Sequence, residues 1–212
     1  IIGFNPDKIW NINKNSIDFF FKGRKRKIKA KPLNFLNSLL SKFNTKIPKG
    51  LPNMASMLVG YFSYDVIRYV EQIPDKCIDD LKLPDVRLSR PKSLIIYDNL
   101  KKEIYYIENI FSDTPIKNYF EEYQLIKNNF DLFQQYEKIG LPEKFTFKKN
   151  KNKIKSNISK SKFKSIVLKA KQHIKKGDVF QVVLSQRFER KFEKHPLEIY
   201  NELRRSNPSP FM

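Results

Sequence analysis

Gly177-Asp178-Val179-Phe180-Gln181-Val182-Val183-Leu184-Ser185-Gln186-Arg187-Phe188 marks a change of period in the chain. Before it, Phe163, Ile166, Val167, Ala170 and Ile174 recur at helical spacing. Ser159 or Ser161 can cap that helix, and Lys175, Lys176 and Gly177 end it, cations at the negative end of the helix dipole and a glycine past the last turn. Beyond Gly177 the period falls to two, so a long strand is expected over residues 179–190. Phe180, Val182, Leu184, Gln186 and Phe188 share one face; Val179, Gln181, Val183, Ser185 and Arg187 share the other. A row of Gln, Ser and Arg on an otherwise apolar strand borders a ligand cavity, or it is the wet face of an edge strand.

Toward the C-terminus, Pro196 opens a short helix through Leu203, and Asn207-Pro208 stops it. In Asn207-Pro208-Ser209-Pro210-Phe211-Met212 two prolines fix φ and remove two N–H donors. The stiff run either presents Phe211 and Met212 to a small molecule or simply connects two elements. Toward the N-terminus, residues 139–158 hold Gly140, Pro142 and a lysine- and asparagine-rich run, which reads as a domain boundary. The domains are therefore placed at 1–150 and 151–212. Residues 116–133 carry a helical stripe of Tyr119, Phe120, Tyr123, Ile126, Phe130 and Phe133. Residues 93–98 and 103–108 are apolar strands flanking Asn99-Leu100-Lys101-Lys102, a hairpin. Residues 73–91, with Pro74, Pro84 and Pro91, read as an extended loop, and 57–62 as a buried strand followed by a helix with Val66, Ile67 and Val70 inward. Pro32 opens a helix with Leu33, Leu36, Leu39, Leu40 and Phe43 on one face. Residues 1–17 read as short strands and turns, with Asn5-Pro6-Asp7 a turn signal and Phe19 to Phe21 extending a buried strand.

The chain has 212 residues, 40% hydrophobic and 30% charged, a globular composition that excludes a mainly disordered protein. No apolar run approaches the roughly 20 residues a membrane-spanning helix needs. One cysteine, Cys77, excludes a disulfide scaffold and favours a reducing, cytoplasmic setting. His173, His195 and Cys77 are too few for a zinc site of those ligands alone. The net charge of +20 suggests an anionic partner, but 33 of the 42 basic residues are lysine and only 9 arginine. Phosphate forks and base readout favour arginine, so the lysines, including the clusters at 22–31 and 144–164, are read as solvated surface. The chain begins at Ile1, with no charged segment and cleavage site, and reads as a piece of a longer protein.

Residues 161–212, above all Gly-Asp-Val-Phe-Gln-Val-Val-Leu-Ser-Gln-Arg-Phe and Asn-Pro-Ser-Pro-Phe-Met, closely resemble the anthranilate synthase component I family of chorismate-utilising enzymes. Ile1-Ile2-Gly3-Phe4-Asn5-Pro6, Leu51-Pro52-Asn53-Met54, Gly60-Tyr61-Phe62-Ser63-Tyr64-Asp65 with Arg68, Glu71 and Pro74, Leu83-Pro84-Asp85 and Tyr97-Asp98-Asn99 fit the same family. The resemblance is weakest over 110–158. It implies an α+β fold, a two-domain mixed α/β sandwich of which this chain would hold an incomplete part. It implies conversion of chorismate and ammonia to anthranilate and pyruvate in tryptophan biosynthesis, a carbon–oxygen lyase reaction, with the chain alone inactive. It also implies Mg2+, with ligands and catalytic histidine downstream of Met212, and a glutamine amidotransferase subunit (component II) supplying ammonia. No metal ligand, nucleic acid or membrane partner is implied for these residues.

By the same resemblance, Gln181 takes the strand position where water-using relatives carry a water-activating lysine. An amide cannot serve as that base, which fits ammonia as nucleophile. Pro210, Phe211 and Met212 match the family's feedback site for L-tryptophan; many relatives have tyrosine at 211, and a Leu-Leu-Glu-Ser partner segment would precede Ile1. His195 is read as opening its helix, His173 and Cys77 as surface groups, and Asp65 with Arg68 as a structural pair. Two other readings stand beside this one: the large subunit of aminodeoxychorismate synthase, which also carries Gln at this position but usually lacks the Asn-Pro-Ser-Pro-Phe-Met run, and a basic nucleic-acid-binding module.

Overall fold

The longest strand of the protein runs through a proline. A computed structural model describes residues 1–43, 46–113, 118–137, 153–192 and 195–209, and the chain divides into two compact units, Ile1–Ile139 and Gly140–Met212. The first holds strands β1 (Ile2–Asn13), β2 (Ser16–Phe21), β3 (Arg24–Ile28), β4 (Val59–Phe62), β5 (Val86–Asp98) and β6 (Glu103–Glu108), with helices α1 (Pro32–Lys42) and α2 (Tyr119–Glu137). The sheet is antiparallel in the order β3-β2-β1-β5-β4, and β6 also pairs with β5. β5 lies along β1 on one side, while its first residues pair with β4 and its last with β6 on the other.

The loop expected over 73–91 therefore ends before Val86. Pro91 is accommodated because it stands opposite Pro6, where the register of β1 shifts. Neither proline offers an N–H, and the bulge opens the ladder where none is needed. The turn expected at Asn5-Pro6-Asp7 is this irregularity inside one twelve-residue strand, with Asn5 at φ 48°. The basic cluster at 22–31 contains an unexpected strand, β3, whose cations are exposed at the sheet's edge.

One face of the sheet carries Trp10, Ile12, Ile17, Val86 and Leu88, which pack with Leu36 of α1 into the core. Pro32 sits in the first turn of α1, as expected, while Leu40 faces outward. The strand expected to be buried at 57–62 is shorter, and all four β4 residues are exposed, because β4 is an edge strand paired only with β5. Gly60 is required there: a Cβ would lie 1.8 Å from the Arg87 carbonyl oxygen. The following helix is a short 3-10 helix, Tyr64–Tyr69; Val66 and Ile67 are half-buried, but Val70 is exposed. Arg68 pairs with Asp65 at 2.6 Å, as expected, and donates to the Ile73 and Pro74 carbonyls. The expected hairpin is β5–β6, its turn held by Asp98 accepting from the Leu100 and Lys101 amides. α2 packs through Phe130 and Phe133 on Tyr106, with ring centroids 5.9 Å apart in both pairs, but Tyr119, Phe120 and Tyr123 of the expected stripe point outward.

In the second unit, α3 (Lys160–Lys175) is capped by Ser159, whose Oγ accepts from the Lys162 amide, and Gly177 follows at φ 77°. Among its described residues only β7 (Lys155–Ser156) and β8 (Phe188–Glu189) pair. The long strand expected over 179–190 is thus confined to its last residues. Alternation prepares a segment for a sheet, but a strand exists only beside a partner, and none lies beside 179–187 among the described residues. α4 (Pro196–Ser206) starts where expected and runs three residues past Leu203; His195 caps it, Nδ1 accepting from the Leu197 amide. No helix among the described residues is long and apolar enough to cross a membrane.

Candidate functional site

The segment from Gly177 to Arg187 is fastened at both ends and bare between them. At its start, Gly177 donates to the Ile174 carbonyl, and its left-handed φ turns the chain off the helix. Asp178 then grips the last turn twice, its amide donating to the His173 carbonyl at 3.0 Å and its carboxylate meeting His173 Nδ1 at 2.8 Å. At its end, Gln186 Nε2 donates to Ser156 Oγ and to the Ile158 carbonyl. Asn157 closes the junction, its side chain accepting from the Arg187 amide and its own amide donating to the Arg187 carbonyl. Between these clamps Val179 and Leu184 are half-buried, and Phe180 is 99% exposed. Gln181 is exposed as well. The polar row of the sequence, Gln181, Ser185 and Arg187, is exposed throughout, and it is Gln186, from the opposite face, that anchors the segment.

The second candidate stretch follows α4. An apolar groove of about 560 Å³ runs along that helix between Phe192, Ile199, Tyr200 and Leu203 and reaches Asn207, the first residue of the proline run. Pro210, Phe211 and Met212, the expected tryptophan-site residues, lie outside the described residues. Among the described residues no three His, Cys, Asp or Glu side chains converge to hold a metal ion. The ligands of the expected Mg2+ belong, by the resemblance, downstream of Met212.

A cluster in the first unit escaped the sequence reading. Arg90 on β5 is 5% exposed. Its guanidinium forks onto Asp7 at 2.8 and 2.5 Å and onto Asp113 at 3.1 and 2.9 Å, and the Phe111 ring centroid lies 3.8 Å from its central carbon. Lys8 joins through Asp113 at 2.6 Å. Burial alone would lower the Arg90 pKa, but the hydrogen bonds to Asp7 and Asp113 raise it. Arg90, working against burial and helped by Lys8, pulls the Asp113 carboxyl down to about 2. Asp85 forms a second hub, accepting from Tyr69 Oη at 2.7 Å and from the Lys14 amide at 3.1 Å. Burial, followed by the Asp85 bond, pushes the Tyr69 phenol far above its usual range. Neither hub had a signal in the sequence, since the partners stand 83 residues apart in one and 71 in the other. Fixed ion pairs and a phenol that stays protonated hold strands in register; they offer no group poised for proton transfer.

Residues 3–212 match the family model of the chorismate binding enzymes. The chain is similar to anthranilate synthase component 1 of Acetivibrio thermocellus, 36% identical over 217 residues covering all of this chain and 44% of the relative. It is 31% identical to the protein of that name from Cereibacter sphaeroides, again over all of this chain and 44% of the relative. Among solved structures it is similar to anthranilate synthase component I from Streptococcus pneumoniae TIGR4, with a TM-score of 0.71 and 25% identity, over all of this chain and 46% of the other. The chain thus spans less than half the length of the relatives it matches.

Proposed function

The chain belongs to the chorismate binding enzymes, and from that membership we propose that it serves as part of an anthranilate synthase component I. The whole protein would convert chorismate and ammonia to anthranilate and pyruvate, with the ammonia drawn from glutamine by an amidotransferase partner. The observation that carries this reading is the pairing of two motifs in one chain whose relatives bear that name along its whole length. Gly177 to Phe188 carries an amide at 181, and Asn207 to Met212 carries the double proline. An amide has no proton to exchange in the working range, which supports ammonia, already a nucleophile, over water.

Tryptophan is the proposed feedback ligand at Pro210, Phe211 and Met212. The apolar α4 groove supports this by offering a hollow that reaches Asn207, where the run begins. Indole against Phe211 would gain about 0.5–1.5 kcal/mol beyond burial. Mg2+, when bound, would template and polarise the substrate's carboxylate, on donors outside the described residues. The single cysteine, exposed and free, fits a reducing cytoplasmic setting.

The test is the product. The full-length protein, purified with its glutaminase and given chorismate, glutamine and magnesium, should release fluorescent anthranilate, and tryptophan should suppress it. Accumulation of 4-amino-4-deoxychorismate instead would assign the chain to the aminodeoxychorismate synthases.

A further inference from the structure

The tail of α1 does not close onto the sheet. A cavity of about 210 Å³ remains between them. Its apolar wall is made by Trp10 and Phe19 from the sheet and Phe35 and Phe43 from the α1 region. The Trp10 and Phe19 rings stack with centroids 5.9 Å apart, and Trp10 is 5% exposed. Its polar wall is made by Lys8, Arg90 and Asp113, with Lys42 from the last turn of α1.

The charges there do not cancel. Asp7 and Asp113 face Arg90, and Asp113 also faces Lys8. Among the described residues, three cations (Lys8, Arg90 and Lys42) stand against two carboxylates (Asp7 and Asp113), one positive charge in excess. Pockets for drug-sized ligands run to about 300–1,000 Å³, so this one has room for a single substituted ring. Aromatic walls favour a ring in offset or edge contact, and a surplus ammonium beside them favours an anion on that ring.

We propose that this cavity is a binding site for a small aromatic monocarboxylate, its ring among Trp10, Phe19 and Phe35 and its carboxylate directed to Lys42 and Lys8. The site stands in the first unit on its own residues and does not depend on the proposed enzymatic reading.

Trp10 is the only tryptophan in the chain, so its emission reports occupancy of the cavity. The 212-residue chain is titrated with benzoate, and separately with benzyl alcohol, a neutral ring of similar size. Benzoate should change the emission along a saturating curve with a midpoint at roughly millimolar concentration, the affinity one small ring reaches at ordinary ligand efficiency. Benzyl alcohol should bind about fivefold to tenfold more weakly, lacking the charge-assisted contact. Lys42→Glu should weaken benzoate by a similar factor and leave benzyl alcohol unchanged; Lys42→Met serves the same purpose if the charge reversal disturbs folding. Ser38→Phe, which adds a ring to the cavity lining, should abolish both curves while circular dichroism stays unchanged. A response linear in benzoate, matching that of free N-acetyltryptophanamide, would overturn the site altogether. Equal affinity for the two ligands, untouched by either Lys42 substitution, would reduce it to an apolar packing gap and overturn the anion specificity.

Discussion

Arg90 bears two carboxylates on one guanidinium, and the two are not equivalent. Asp7 is nearly as buried as Arg90, whereas Asp113 is about half exposed. Replacing Arg90 by Met leaves the Asp7 charge inside without its fork, and such changes cost about 3–5 kcal/mol. Chemical denaturation should show a loss of that size for Arg90→Met, and Asp7→Leu added to it should recover a substantial part. Asp113 calls for a different experiment. Its carboxyl pKa falls from 3.8 to about 2 on folding, so its contribution is fully present above pH 4 and is lost as the pH falls through 2. Asp113→Asn should therefore lower stability at neutral pH by about 1 kcal/mol, after allowing for solvent screening at a half-exposed site. The gap to the unaltered chain should close between pH 4 and 2. A gap that stayed constant across that window would show that the side chain acts through shape and not through charge.

At the scale of elements, β5 and the 178–187 segment teach opposite lessons. The first residues of β5, 86–91, carry a proline and two arginines and read as loop, yet they belong to an interior strand of the sheet, because β1 shifts register opposite Pro91 and the Arg90 charge is neutralised by Asp7. Residues 179–187 have strand alternation and no proline, yet form no ladder among the described residues. Hydrogen exchange distinguishes the two states directly. The amides of 179–185 should exchange within the dead time of a manual experiment, while those inside α3 and along β5 are protected. Slow exchange across 179–185 would mean that the segment has found a partner strand in solution. The helices were more legible, since Ser159, Pro32, Pro196 and Gly177 act through neighbours within one turn. His195 is the instructive case: as the residue before a proline it reads as opening a helix, and the structure adds that its ring nitrogen caps the helix.

At the scale of the molecule, the charge of +20 finds its clearest expression at β3, where Arg24, Lys25, Arg26 and Lys27 are exposed along an open sheet edge. Charged side chains on an edge strand discourage pairing with another chain, and Lys25 is partly answered by Asp18 at 2.8 Å. Duplex DNA should consequently bind only through counterion release. Fluorescence anisotropy should find a Kd no tighter than about 1 μM at physiological salt, rising by orders of magnitude between 50 and 200 mM. Tight binding that resisted salt would revive the nucleic-acid reading. Read alone, the sequence determined the proline-led starts of α1 and α4, the glycine end of α3, the β5–β6 hairpin, the mixed α and β character and the family, because each rests on spacing within a few residues or on a contiguous motif. Tertiary structure alone decided that a proline-bearing segment joins an interior strand, that Arg90 gathers Asp7 and Asp113, that Gln181 faces outward, and that a ring-lined cavity stays open under α1. Those outcomes depend on which strand lies beside which and on charges brought together from far along the chain, and local spacing carries no information about either.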